Sequence, residues 1–278
     1  MTAQTGYGLI TTPQTVAEAV AAMAGGAVPI AGATWLLRAP LRHEPMPDRL
    51  MSLRCLTEVQ ALDIGPERAV IGAMVTHDAL AGALAGQPDL AGLATAAGAS
   101  ANPGIRRIAT LGGNLGAAGF AASDLVPALL AADVTAVLAT GSGLQSLPMA
   151  AFLAGRGGGG LILRVEIARS ARRAAHARLP MRKAGDYPCA IVSVSADVSG
   201  GTIRDIRIAV GAVESTARRW SSLEDRLTGT ALDPARAEAA AREMSDDFTA
   251  RDAVDAPGWY RLSVLPVLLR RAFTQIKV

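Results

Sequence analysis

The sequence predicts an α+β protein, with an α/β first part followed by a small antiparallel sheet carrying helices. Three observations predict it. Two glycine-bearing loops lie about eighty residues apart, Pro29 to Leu36 and Ala109 to Leu115, the first fed by a short strand. A basic stretch from Arg169 to Lys183 then marks a change of pattern. Beyond it, period-two alternation over Val192–Val198 and Ile206–Val210 around Gly200-Gly201 is the mark of a hairpin, and helical periodicity follows.

Thr15-Val16-Ala17-Glu18 has the form of a capping box and opens a helix with Val16, Val20 and Met23 on one face, closed by Gly25-Gly26. Val28–Ile30 is a short strand leading into the first glycine loop. After a segment punctuated by Pro40, Pro45 and Pro47, residues 69–73 read as a strand and Ala- and Leu-rich helical material runs to Ala101. Past the second loop, Ser123-Asp124 opens a helix through Leu130, and 134–138 and 161–167 read as strands. The first region ends near Ser170. In the second, helices are expected over 216–227, 233–244 and 259–273, the last with Leu262, Leu265 and Leu269 on one face.

Half of the 278 residues are apolar, enough for at least one full core, and the length favours two domains or one with subdomains. The net charge of +3 and pI near 9.2 lack the clustered positive surface of a nucleic-acid binder. Cys55 and Cys189 form no C-x-x-C pair and have no metal-ligand spacing to His43, His77 or His176, so no zinc or iron–sulfur site is expected in this chain. No run reaches the roughly eighteen apolar residues of a membrane span and no leader is evident, which reads as a reduced, cytoplasmic protein.

Several tempting motifs fail on context. Gly155 to Gly160 satisfies G-x-G-x-x-G but precedes a strand and opens no helix, so it reads as a flexible turn rather than a dinucleotide fingerprint. His43-Glu44 is followed by Pro45 and Pro47, which excludes a helical zinc-protease motif, and no G-x-S-x-G elbow is present. The histidines read as surface or core residues.

The two glycine loops carry the chemistry. Glycine lets successive backbone amides approach one anion closely without any charged side chain, so two such loops can grip one dinucleotide diphosphate from opposite sides.

Ala31-Gly32-Ala33-Thr34 resembles the A-G-G-T or A-G-G-H loop, and Thr110-Leu111-Gly112-Gly113-Asn114 the T-I-G-G-N loop, of the FAD-binding medium subunit of molybdenum hydroxylases. That family includes xanthine dehydrogenase and carbon monoxide dehydrogenase. Ser123-Asp124 before an L-L-A helix, Arg182 to Tyr187 as R-K-x-G-D-aromatic, and Trp259-Tyr260-Arg261 before Leu268-Leu269-Arg270-Arg271 extend the resemblance along the whole chain. It implies a two-subdomain, PCMH-type α/β FAD-binding domain over residues 1–170, with subdomains of about 1–55 and 56–170. A carbon monoxide dehydrogenase flavoprotein C-terminal domain over 176–278 would follow.

On this resemblance the FAD site comprises Ile30, Ala31, Gly32, Ala33, Thr34, Trp35, Thr110, Gly112, Gly113, Asn114, Asp124, Lys183 and Tyr187. Amides of Gly32 to Trp35 and of Gly112 to Asn114 would cradle the diphosphate, with the Thr34, Thr110 and Asn114 side chains adding hydrogen bonds. Asp124 either accepts from ribityl or ribose hydroxyls or is a plain helix-start residue. Tyr187 either stacks on the isoalloxazine or anchors the chain before Pro188. Lys183 lies either at the flavin's electron-rich edge or in a solvated basic connector, and Trp35 shapes the loop from the core or meets the ligand.

Three departures stand out. Ala33 replaces a more usual second glycine, which costs roughly 1–2 kcal/mol if the position needs positive φ. A family lysine before R-K-x-G-D is replaced by Arg178 or Leu179, and the loop after Asn114 is one residue longer than in some members. The resemblance further implies no catalytic acid–base residue here. Molybdopterin would sit on a large partner subunit and two [2Fe–2S] clusters on a small one, in a dimer of heterotrimers, with electrons leaving through this chain. Two alternatives are a self-sufficient FAD-dependent oxidase, for which the second domain offers no clear base, and an FAD-free scaffold subunit, motivated by Ala33.

Overall fold

Thr15 takes an extended backbone and its hydroxyl accepts from the Glu18 amide, while Glu18 reaches back to the Gln14 amide at 2.8 Å. This fixes the start of α1 (Val16–Ala24), between β1 (Leu9–Thr11) and β2 (Val28–Ile30). The computed structural model describes residues 9–117, 119–155, 159–181 and 187–276. A 3₁₀ turn (Leu36–Arg42) follows the first glycine loop and leads to β3 (Arg49–Ser52), which pairs in parallel with both β1 and β2. β1, β3 and the 3₁₀ turn fall where the sequence has too few residues to establish a period.

A second sheet has the order β4-β5-β8-β6-β7 and is antiparallel throughout: β4 (Leu62–Ile64), β5 (Arg68–Gly72), β8 (Leu161–Ala168), β6 (Thr135–Thr140) and β7 (Gly143–Pro148). Between β5 and β6 lie α2 (His77–Ala83), α3 (Ala91–Ala99), α4 (Pro103–Arg106), α5 (Leu111–Gly116) and α6 (Leu125–Ala131); α7 (Met149–Gly155) follows β7. Ile71, Val165, Leu138, Leu93, Leu129 and Phe152 join sheet and helices in one core. The glycine run expected as a flexible turn continues past α7 into residues 156–158, outside the described residues.

The basic stretch expected as a connector is largely a strand, β9 (Arg173–Pro180), with Ala175, His176 and Ala177 buried. Three of its arginines are ion-paired rather than solvated, Arg169 with Asp89, Arg172 with Asp205 and Arg178 with Asp124, while Arg182 and Lys183 lie outside the described residues. β10 (Pro188–Ser199) and β11 (Thr202–Gly211) form the hairpin, and β12 (Arg218–Arg219) completes the order β12-β11-β10-β9. The expected helix over 216–227 begins only at α8 (Ser221–Leu227), because 218–219 pair with β11.

α9 (Pro234–Met244) starts at its Asp233 cap. The single closing helix expected over 259–273 is two, α10 (Gly258–Ser263) and α11 (Leu265–Gln275). Pro266 has no N–H to donate back into α10, whereas the first turn of a new helix needs none.

One face of this last sheet buries Trp220, Phe273, Leu265 and Leu269; the Trp220 indole N–H is satisfied by Asp247 at 2.9 Å. Its other face receives α3 and α6. Every residue of α6 is buried, the condition of a helix enclosed by a sheet on one side and by α3, α5 and α7 around it, which explains why LVPALLA has no polar face.

Candidate functional site

Gly32 explains where the first loop goes. A Cβ on it would stand 1.9 Å from the Ile108 carbonyl oxygen, so the loop after β2 lies directly on the backbone that leads into the second loop. The second loop is held in turn by the segment that leaves β5. The Leu111 amide donates to Val75 and the Gly112 amide to Ala73, and a Cβ on Gly112 would meet that of Ala73 at 2.5 Å. Close approach, rather than positive φ, makes both positions glycine.

Along this seam runs a cavity of about 620 Å³. Ala31, Gly32, Ala33, Thr34, Trp35, Thr110, Gly112, Gly113, Asn114, Asp124 and Tyr187 all line it, so both loops, the start of α6 and the segment entering β10 meet at one place. Ile30, the last residue of β2, is outside the lining, and its carbonyl accepts from the Leu53 amide. Lys183 lies outside the described residues.

The loops differ in what they offer an anion. Among the described residues, the amides of Gly32, Ala33, Thr34 and Trp35 donate to nothing in the chain. Those of Gly112, Gly113 and Asn114 are spent internally, on the Ala73 carbonyl, the Thr110 hydroxyl and the Thr110 carbonyl. The second loop is the first turn of α5 with Thr110 as its cap, and capping consumes the very donors the sequence presents. The expected two-sided amide cradle is therefore one-sided, and Thr110, 3 % exposed, spends its hydroxyl on Gly113.

Side chains supply the second loop's share. The Asn114 Oδ1 accepts from the Ser123 hydroxyl at 2.5 Å, and its amide nitrogen has no hydrogen-bond partner among the described residues. Ser123, and not Asp124, caps α6 through the Val126 amide. Both contacts of Asp124 use Oδ1: Arg178 Nε at 2.8 Å and His176 Nε2 at 3.4 Å. Among the described residues Asp124 Oδ2 has no hydrogen-bond partner, and it is not sealed from the cavity.

Ala33 adopts φ 56°, the left-handed conformation that the more usual glycine would take without strain. Trp35 carries the Arg42 guanidinium 3.9 Å from its ring centroid and packs on Phe120 at 4.7 Å, and Phe120 meets Tyr187 edge-on at 5.3 Å. Trp35 is thus an aromatic wall built from both sides. Arg38 Nη1 donates to the Tyr187 hydroxyl at 3.0 Å, joining the 3₁₀ turn to the start of the C-terminal domain.

Sequence reasoning missed His77, which also lines the cavity, as does Arg178, one of the two residues the sequence offers in place of the family lysine. His77 is 3 % exposed, bonds Ser100 through Nδ1 at 2.7 Å, and has an Nε2 that is buried without a partner. Burial pushes its imidazole down to about 4, against the opposing pull of the Asp124 charge and the Thr110 carbonyl. A lone histidine after a strand carries no motif, so only the fold makes it visible.

Residues 4–169 match the family model described as the FAD binding domain in molybdopterin dehydrogenase, and residues 175–276 match the CO dehydrogenase flavoprotein C-terminal domain. The chain belongs to this flavoprotein family. Among relatives of the molybdopterin dehydrogenase flavoproteins, the glyceraldehyde dehydrogenase medium chain of Sulfolobus acidocaldarius is 27 % identical over 62 % of this chain and 63 % of its own, just under two thirds of that protein. The carbon monoxide dehydrogenase medium chain of Afipia carboxidovorans is 29 % identical over 95 % of each chain. In structure, carbon monoxide dehydrogenase from Hydrogenophaga pseudoflava superposes with a TM-score of 0.89 at 26 % identity, covering 98 % of this chain and 97 % of that one. The α+β architecture expected from the sequence is the family's. No helix among the described residues is long and apolar enough to cross a membrane.

Proposed function

We propose that this chain is the flavin-bearing medium subunit of a molybdenum hydroxylase, passing electrons from [2Fe–2S] clusters on a small subunit to an external acceptor. Substrate would be oxidised at molybdopterin on a large subunit, with a dimer of heterotrimers as the assembly and the cytoplasm as its location. The observation that carries the reading is the run of four unspent amides, Gly32 to Trp35, on the wall of a cavity large enough for a dinucleotide. Unspent amides on a loop pressed against a second backbone make a fixed partial positive charge, which suits a diphosphate.

The residues present fit FAD. Gly32 to Trp35 would hold the phosphates, the Thr34 hydroxyl and Asn114 amide would add donors, and Asp124 Oδ2 would accept from a ribose or ribityl hydroxyl. Tyr187 would offer an aromatic face. When bound, FAD supplies the capacity to take up electrons singly and release them in pairs. The protein's part is to bind, orient and exclude water, so no general acid or base is required. Ala33 favours this reading over an FAD-free scaffold, since the chain already holds the conformation that binding by this loop requires. Cys55 and Cys189 are both free, as a reducing compartment allows.

The purified chain is expected to be yellow, to release FAD on extraction, and to copurify from its host with molybdenum and iron. A colourless protein that does not quench added FAD fluorescence overturns the flavin assignment. Flavin without the metals would favour the self-sufficient oxidase.

A further inference from the structure

We infer that Arg178 and His176, both on β9 in the C-terminal domain, are positioning residues that aim Asp124 at the cofactor's hydroxyl groups. On this inference, which rests on the flavin-binding reading, the second domain completes a site that the sequence places chiefly in the first.

Asp124 is 4 % exposed and sits one residue before a helix buried on every side, yet does no capping. A buried carboxylate in that position needs partners, and both come from across the domain junction: Arg178 Nε and His176 Nε2 converge on Oδ1. Residues 176 and 178 are two apart on one strand and so share a face. The His176 ring is set from behind by Ser193 of β10, whose hydroxyl lies 2.9 Å from Nδ1 and which stands opposite it in register.

A carboxylate accepts only, so both nitrogens must donate. Two donors on one oxygen fix the plane of the carboxyl group and leave Oδ2 facing the cavity. That oxygen welcomes a hydroxyl and repels a phosphate, whereas the Gly32–Trp35 amides do the reverse. Together the two poles sort the ligand, directing phosphates to the first loop and a sugar-alcohol segment to Asp124. Rotation of the carboxyl group, once its Oδ1 partners are lost, would blur that sorting.

The test is titration of FAD, by flavin fluorescence quenching, into the full chain freed of flavin, for wild type, Arg178→Met, Arg178→Lys, Asp124→Asn and Asp124→Asn/Arg178→Met. Arg178→Met is expected to weaken binding about tenfold and Arg178→Lys, which still donates to Oδ1, about threefold. On the Asp124→Asn background Arg178→Met should cost less than a further twofold, since Arg178 would act through the carboxylate already removed. Full wild-type affinity in Arg178→Met, or an undiminished tenfold loss on that background, overturns the inference while the flavin reading stands. Failure of wild type to bind FAD overturns both. Should Arg178→Met not fold, Arg178→Lys alone and with Asp124→Asn decides: its threefold loss must vanish in the pair, and persistence of that loss sinks the inference.

Discussion

Gly32 and Ile108 are in backbone contact, with no room between them for a methyl group. Because the obstructing atom is a carbonyl oxygen held by the residues that enter α5, relief requires one loop to move. Gly32→Ala is expected to destabilise the protein by about 1–3 kcal/mol, as overpacking does, and to weaken FAD binding more than tenfold. Thermal melting and flavin titration on the same preparation check it; unchanged affinity would mean that the first loop is not where the phosphates lie.

Ala33 presents the opposite case. Its left-handed backbone costs roughly 1–2 kcal/mol, while a glycine adds about 0.5–1 kcal/mol of chain entropy to the unfolded state. Ala33→Gly should therefore stabilise by about 0.5–1 kcal/mol, read as a higher denaturant midpoint with an unchanged slope, and should leave FAD affinity equal or better.

His77 makes stability depend on pH. Its folded value of about 4 lies below the ordinary 6.5, so the unfolded chain binds the proton first as pH falls. Stability is whole above about 6.5 and is lost progressively between 6.5 and 4, by roughly 2–3 kcal/mol in all. Melting temperatures measured across that window should fall with pH in wild type and fall less steeply in His77→Gln.

Arg261 is fully buried and donates to the carbonyls of Cys189, Ala212 and Arg251 and to Asp255. Arg261→Met removes four hydrogen bonds at once and should cost about 3–5 kcal/mol, the usual effect of breaking a buried pair. Its neighbour Trp259 is 71 % exposed, and Trp259→Ser should stay within about 0.5 kcal/mol. Equal effects in chemical denaturation would overturn this assignment of the two roles.

What was legible in the sequence had a local cause. Thr15 and Glu18, and the alternation in β10 and β11, each declare a backbone need that neighbours alone establish. The remainder depends on partners distant in sequence: β9 looks like a charged connector until Asp124, Asp205 and Asp89 meet its arginines and theirs nearby. Thr110 is the instructive case. The same T-x-G-G-N spelling fits an anion cradle and a capped helix, and only the hydrogen bonds show that the cap claims the amides.

The bond between Arg38 and Tyr187 joins positions 149 residues apart at the border of the cavity. A ligand lodged there is fenced by two segments that must separate before it escapes. Residence would then follow the lifetime of this clasp more than the sum of the ligand's own contacts, so that a modest equilibrium grip is compatible with a cofactor that seldom exchanges.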